Sequence, residues 1–502
     1  MIRRLILIGA ATLGACAQTQ RPGTAAGTVP AAAPQYGVRV PADDSVIARL
    51  VQEGTRRSHV DADLEYLLDV IGPRLTGSPG MHRANEWTRQ KFREYGVDRA
   101  ELEPWTFGVG WTRGPMTARL VTPHERELLA VSWAWAPGTN GPLRGDVVLA
   151  DARTEQDWQR RFAGKLAGKW VMVGPAYPNA NPDGPLMSHA DSARLDSLRR
   201  ANTPQNDEER QYFRIREALL ARENLAGLVR DGGKEFALLT MSGSPLAISP
   251  HPQIVVSNDD YSQFQRLLRR GEHVSIEADI HNGFTRDPLT QYNTIAEIRG
   301  SEKPDEVVLL GAHLDSWDLA TGGTDNGTGA IAVLEAARIL TAAGVRPART
   351  IRFALFSGEE EGLLGSQAYV ESHERELPRF QSVLVLDNGT GRITGVGLQR
   401  HEDLREMWES MLAPLAGTEG LGPLAVRSEY KTGTDHLSFI PYGVPSFNYD
   451  QLTRGYNHTH HSQVDDYDHT VPGDVAQAAT IMAVNAWQFA NMPQFLPRGP
   501  RQ

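Results

Sequence analysis

The side chains best suited to chemistry are His313 and Asp315, Asp325, the acid triplet Glu359-Glu360-Glu361, Asp387, and a histidine-dense run at His458, His460 and His461. All are imidazoles or carboxylates, the donors taken by catalytic zinc, and no thiolate follows Cys16, the single cysteine. Two ions acting together sit about 3.5 to 4 Å apart, clamp one water or hydroxide, and need a carboxylate that bridges them. Asp325 is the natural bridge, because Gly322, Gly323, Gly327 and Gly329 let the backbone fold tightly around it. Asp315, two residues after His313, is better placed to hold that imidazole than to bind metal itself. One histidine of the C-terminal run should close the second coordination sphere, and the pattern leaves open which one.

These residues must be positioned by the elements between them. From Tyr292 onward the chain alternates apolar runs with helical stretches: 294–298, 307–312, 350–356 and 382–386 read as strands, 330–340 as a helix. The runs are apolar almost throughout, as strands covered on both faces require. His313, the acid triplet and Asp387 each follow the carboxyl end of such a run, where open α/β sheets carry their sites. Upstream, Val46, Leu50, Leu64, Leu67 and Leu68 recur at helical steps, and the helices they predict, interrupted by a Gly/Pro loop at 71–80, are assigned no chemistry. Between Trp111 and Asn282 the character changes to short β-rich runs at 145–150, 169–173 and 253–256. A charged, helix-prone stretch at 191–216 reads as a solvated surface helix.

With 502 residues, two structural units and an export segment are expected. A net charge of -10 argues against a nucleic-acid partner, since phosphate binding needs clustered Lys and Arg. Arg3 and Arg4 followed by the apolar stretch 5–14 read as a signal peptide. Cys16 stands directly after Leu13-Gly14-Ala15, which resembles the lipobox where bacterial lipoproteins are cleaved and acylated. Residues 1–16 are therefore expected to be the signal ending at a lipidated Cys16, and 17–42 a tether rich in Ala, Thr, Pro and Gly. The expected location is exported, in the periplasm or at the surface of a bacterium, with the lipid as the only membrane contact. One cysteine makes no disulfide, so stability must come from the core and from bound metal.

The runs Gly311-Ala312-His313-Leu314-Asp315, Thr324-Asp325-Asn326-Gly327-Thr328-Gly329, Phe356-Ser357-Gly358-Glu359-Glu360-Glu361-Gly362 and His461-Ser462-Gln463-Val464-Asp465 resemble metallopeptidase family 28. That resemblance spans roughly residues 45 to 490 and implies a three-layer α/β/α fold with a mostly parallel sheet of the zinc-dependent exopeptidase type. It further implies a catalytic unit from segments 43–110 and 285–495, with a β-rich protease-associated domain inserted at 111–284. By resemblance, two Zn²⁺ per chain are expected: His313 and Asp387 would bind one, Glu360 and His461 the other, and Asp325 both. Glu359 would be the general base. Some relatives carry a Tyr just before the last histidine to polarise the scissile carbonyl; here the position is His460, which becomes the oxyanion candidate. Asp435 and His436, in Thr432-Gly433-Thr434-Asp435-His436, are expected to shape the substrate pocket.

The function implied is hydrolysis of peptides at the amino terminus, because bacterial relatives with a protease-associated domain are mostly aminopeptidases. The alternatives are a carboxypeptidase or dipeptidase of the same family, or a receptor-like binding protein that keeps the fold without metals. A carboxypeptidase needs a cation for the terminal carboxylate, and Arg74, Lys431 and Arg454 are the candidates. No pattern in the sequence specifies the oligomeric state or the preferred side chain. Gly327-Thr328-Gly329-Ala330-Ile331-Ala332 formally matches a dinucleotide fingerprint, but it follows a polar loop and lacks the acid that would hold a ribose. No G-x-S-x-G elbow of a serine hydrolase occurs.

Overall fold

A computed structural model describes residues 44–176 and 203–499. The expected signal, Cys16, the tether and the 191–202 part of the charged stretch lie outside the described residues. At the centre of the peptidase-like part is an eight-stranded sheet ordered Arg99–Thr112, Gly283–Ile298, Arg349–Phe356, Lys303–His313, Phe380–Val385, Ser446–Gln451, Ile393–Gly397, Ala425–Arg427. The four strands from Arg349–Phe356 to Ser446–Gln451 run parallel to their neighbours within the group. Antiparallel pairs flank them on both sides. The sheet is thus mixed, with its parallel block where the candidate ligands lie.

Period-two alternation decides which layer each side chain joins. Val308, Leu310 and Ala312 pack with the helices Asp44–Arg56, Thr328–Ala342 and Pro472–Asn491, whereas Val307 and Leu309 pack with Tyr369 and Val370 of the helix Leu364–Ser372. Thr328–Ala342 is buried from its first residue to Leu340, which explains why its sequence is apolar all round rather than amphipathic. A buried charged trio enters this layer: Arg338 is fixed between Glu53 at 2.6 Å and Glu335 at 2.7 Å, tying Asp44–Arg56 to the central helix.

The strands Arg99–Thr112 and Gly283–Ile298 continue beyond the sheet as an antiparallel ribbon, pairing Arg99 with Glu297 at one end and Thr112 with Gly283 at the other. The boundaries expected at 111 and 284 fall at the far end of this ribbon. Beyond it lies a second eight-stranded sheet, Arg126–Glu127, Met116–Thr122, Ser275–Ile280, Leu143–Ala150, Trp170–Val173, Gly227–Asp231, Gln253–Val256, Ala130–Ser132. Its middle pairs are parallel, and the helices Glu155–Arg161, Asp207–Leu220 and Asn258–Arg269 accompany it. The short strand runs were legible in the sequence; this helical content was less so. Among the described residues, no helix is long and apolar enough to cross a membrane.

Candidate metal centre

The carboxyl ends of the four parallel strands gather the predicted residues. His313 ends the strand Lys303–His313, the acid triplet follows Arg349–Phe356, Asp387 follows Phe380–Val385, and the histidine run follows Ser446–Gln451. Asp325 enters from the loop before Thr328–Ala342 and faces both imidazoles. Its Oδ1 is 3.3 Å from His313 Nε2, and its Oδ2 is 3.3 Å from His461 Nε2. Asp387 Oδ1 lies 3.4 Å from His313 Nε2, and Glu360 Oε2 lies 2.8 Å from His461 Nε2. Two donor groups therefore share one carboxylate. His460 joins the second: its ring stacks on His461 at 3.7 Å between centroids, and its Nε2 is 3.6 Å from Asp325 Oδ2. Glu359 Oε2 is 3.9 Å from His313 Nε2.

The donor chemistry fits cations. His313 Nε2, Asp325 Oδ2 and Glu360 Oε1 are buried without a hydrogen-bond partner, a costly arrangement unless another group satisfies them. Burial, the largest effect, together with neighbouring acids, pushes the carboxyls of Glu359 and Glu360 well above their usual range. Burial lowers His461 to about 4. Burial also opposes charge on His313, but Asp387 and Glu359 outweigh it and raise that imidazole well above its ordinary value. Asp325 is held low despite its burial by His313, His460 and His461. A cluster of acids that resist ionisation and imidazoles turned toward them is what a divalent ion would relieve, since it favours carboxylate and neutral imidazole together. His313, Asp387, Glu360, His461 and a shared Asp325 would be the residues holding zinc.

The loops carrying these groups are tied to one another. Asp315 Oδ2 accepts the Thr76 hydroxyl at 3.1 Å and the Glu360 N–H at 3.2 Å, and its main-chain oxygen lies 3.1 Å from His313 Nδ1. The carboxylate itself is 3.5 Å from that nitrogen, so it braces the loops as much as the ring. Asn326 donates to Leu386 O at 2.9 Å, joining the Asp325 loop to the strand end that presents Asp387. Packing is tight here: a Cβ on Gly329 would stand 2.2 Å from Asn326 Oδ1 and 2.5 Å from Leu386 O. His461 itself has φ 59°, a left-handed conformation uncommon for a residue with a side chain and typical of functional sites.

Known proteins resemble this chain over most of its length. Residues 293–486 match the model of peptidase family M28. The chain is 28% identical to the peptidase M28 precursor of Shewanella amazonensis SB2B, whose structure it matches with a TM-score of 0.74 over 91% of this chain and 100% of that one. Residues 293–486 belong to peptidase family M28. It is also similar to carboxypeptidase Q of Homo sapiens, 27% identical over 460 residues covering 90% of this chain and 89% of the relative. A zinc aminopeptidase from Bacillus subtilis shares the fold, with a TM-score of 0.60, 19% identity and coverage of 87% and 96%.

In this chain the remaining expected residues are distributed as follows. Asp435 is fully buried, and burial raises it to about 7, with His313 opposing. His436 is also fully buried and meets the side chain of Gln399. All three cations considered for a terminal carboxylate already have partners within the protein. Arg74 is buried and donates to the carbonyls of Leu314 at 2.6 Å, Thr321 at 2.5 Å and Gly322 at 2.8 Å. Lys431 pairs with Asp450, and Arg454 with Asp474 at 2.9 Å. The loop at 71–80, in which only Arg74 was considered and for another role, thus supports the site through Arg74 and Thr76. Sequence reasoning also passed over Asp465 as a working group, although it closes the fourth motif. Its Oδ1 accepts the Thr324 N–H at 2.6 Å and hydroxyl at 2.7 Å. Trp317 was missed as well; it packs edge-on against His461 and, with Ala320, Asp325, Glu360 and Ser462, lines the crevice at the centre.

Proposed function

We propose that this chain is an exported zinc-dependent exopeptidase that removes residues from the amino end of peptides, with two zinc ions per chain. The observation that carries the two-ion reading is Asp325, one carboxylate facing His313 on one side and His461 on the other at 3.3 Å. Zinc held there would supply Lewis acidity for the scissile carbonyl and make water acidic enough to attack near neutral pH. Everything else falls to the chain. Glu359 takes a proton from the attacking water and returns it to the leaving amine, a general acid/base role. The side chain of Glu359 is only 11% exposed, which keeps competing water away from that transfer. His460, beside the bridge and 37% exposed, is the residue placed to donate to the developing oxyanion. Asp315 and Asp465 hold the loops in register.

Amino-terminal cleavage is favoured because Arg74, Lys431 and Arg454 are all engaged within the protein, and a free α-amine suits an acidic centre. Full-length similarity to carboxypeptidase Q supports a second reading, cleavage from the carboxyl end. The two separate on one peptide series carrying free, N-acetylated or C-amidated ends. Amidated peptides cut and acetylated ones spared is the expected result; the reverse pattern transfers the activity to the carboxyl end. Acylation at Cys16 and residence in the periplasm or at the cell surface complete the proposal. Replacing Cys16 with Ser should move the protein from the membrane to the soluble fraction, and a wild type already soluble and unlipidated removes the anchor.

A further inference from the structure

The parallel strands Gly227–Asp231 and Gln253–Val256 of the second sheet are adjacent, yet residues 232–252 connect them without a helix or strand. A structureless connection of this length is uncommon in a compact protein and, when ordered, is usually functional. This one reaches across to the metal centre. Lys234 Nζ donates to Asn457 O at 2.9 Å, His458 O at 3.3 Å and His460 O, so all three ammonium donors meet carbonyls of the loop that presents His461. Met241 N–H donates to His461 O at 3.0 Å. Gln463 closes the contact from the other side, accepting Leu239 N–H at 2.8 Å and donating to Ala237 O at 3.1 Å. Ser244 Oγ reaches Glu361 O at 3.1 Å, beside the other ligand segment.

The left-handed backbone of His461 is sustained only if its surroundings over-determine it. The carbonyls just before it and its own carbonyl are the atoms the 232–252 loop holds. We propose that Lys234 is a positioning residue for the second metal: by fixing the carbonyls of Asn457, His458 and His460, the second sheet presents His461 to its ion. This rests on the two-zinc reading of the site. A simple charge effect predicts the opposite outcome, because removing a nearby ammonium would ease cation binding.

The test uses the full chain stripped of metal by a chelator and titrated with zinc, comparing wild type, Lys234→Met and Lys234→Arg. Wild type should take two ions. Lys234→Met should bind the second 10- to 100-fold more weakly while leaving the first unchanged, the scale expected when an outer support of a ligand is lost. Lys234→Arg, which keeps donors, should stay within about threefold of wild type on the same scale. Hydrogen exchange on the metal-free proteins gives an independent readout: the Met241 amide should lose protection in Lys234→Met and keep it in Lys234→Arg. Unchanged or tighter binding of the second ion, equal weakening of both ions, or unaltered Met241 protection overturns the assignment to Lys234. A wild type that takes up fewer than two ions instead removes the two-zinc reading, and the inference with it.

Discussion

The carboxylate of Asp465 accepts the main-chain N–H of Asp325 at 3.0 Å while its other oxygen holds Thr324, so the acid shared by both imidazoles is itself held by an acid from the histidine loop. Its main-chain oxygen accepts Thr321 N–H and Gly323 N–H at 3.2 and 3.1 Å. The two loops of the second site are therefore one unit. Asp465→Asn turns an amide donor toward either Thr324 or Asp325, where only acceptors fit. Zinc affinity or kcat should fall by about 10- to 100-fold with the fold intact. Zinc titration alongside circular dichroism checks this, and unchanged affinity would show that Asp465 does not support the bridge.

Glu359 and Glu360 are adjacent, with side chains 11% and 2% exposed, yet they point at different imidazoles: Glu360 at His461, Glu359 at His313. Glu359→Gln keeps the shape and cannot take a proton, so it should retain two zinc ions and substrate affinity while kcat drops by about 10² to 10⁴ or more. Glu360→Ala should instead lose zinc and melt earlier, because binding energy of the ion adds to folding. Zinc per chain and kcat for both variants decide the matter. If Glu359→Gln loses metal while Glu360→Ala keeps it, base and ligand exchange places.

Most candidate ligands were legible from sequence because His313, Glu360 and Asp387 follow strand ends and Asp325 lies in a glycine-rich turn, where local pattern marks the place; His461 was singled out only by the family resemblance. Residues 307–312, 350–356 and 382–386 read as almost wholly apolar strands, and each lies within or overlaps an observed one, Lys303–His313, Arg349–Phe356 and Phe380–Val385. What supports the ligands was not legible. Lys234 lies more than two hundred residues from the carbonyls it holds, and a lysine between glycine and glutamate carries no local signal. Thr76 and Arg74 sit in a Gly/Pro loop whose composition says only that it turns. Strands such as Ile393–Gly397 and Ala425–Arg427 are short, and tertiary pairing at the sheet edge, rather than propensity, makes them strands.

Arg338 is 5% exposed and compensates two acids, Glu335 and Glu53, from different helices. Arg338→Ala leaves Glu335 buried without a cation and Glu53 with only the exposed Arg57, at a cost of about 3 to 5 kcal/mol by analogy with other broken buried pairs. Denaturant unfolding at fixed zinc should show the loss in the midpoint. A change below about 1 kcal/mol would mean that water reaches the acids as soon as the guanidinium is gone.

Removing zinc should destabilise the protein more at high pH than at low pH. Burial holds the carboxyls of Glu359 and Glu360 well above their ordinary value of 4.5 in the metal-free fold. Above that value the unfolded chain gives up these protons while the folded chain retains them, so the folded state binds more protons. The stability that these two carboxyls contribute to the metal-free protein then falls as pH rises through that window toward the folded pKa. His313, raised by Asp387 and Glu359 against the effect of burial, has the same sign from its ordinary 6.5 upward. Zinc removes this penalty because it takes the carboxylates ionised and the imidazole neutral, and its affinity grows as protons leave. Free zinc at one hundred times its Kd would add about 2.7 kcal/mol per site. Melting curves with zinc and with a chelator from pH 5 to pH 8 should diverge steadily as pH increases. A gap that stays constant or narrows toward pH 8 would mean that Glu360 and His313 do not bind the metal.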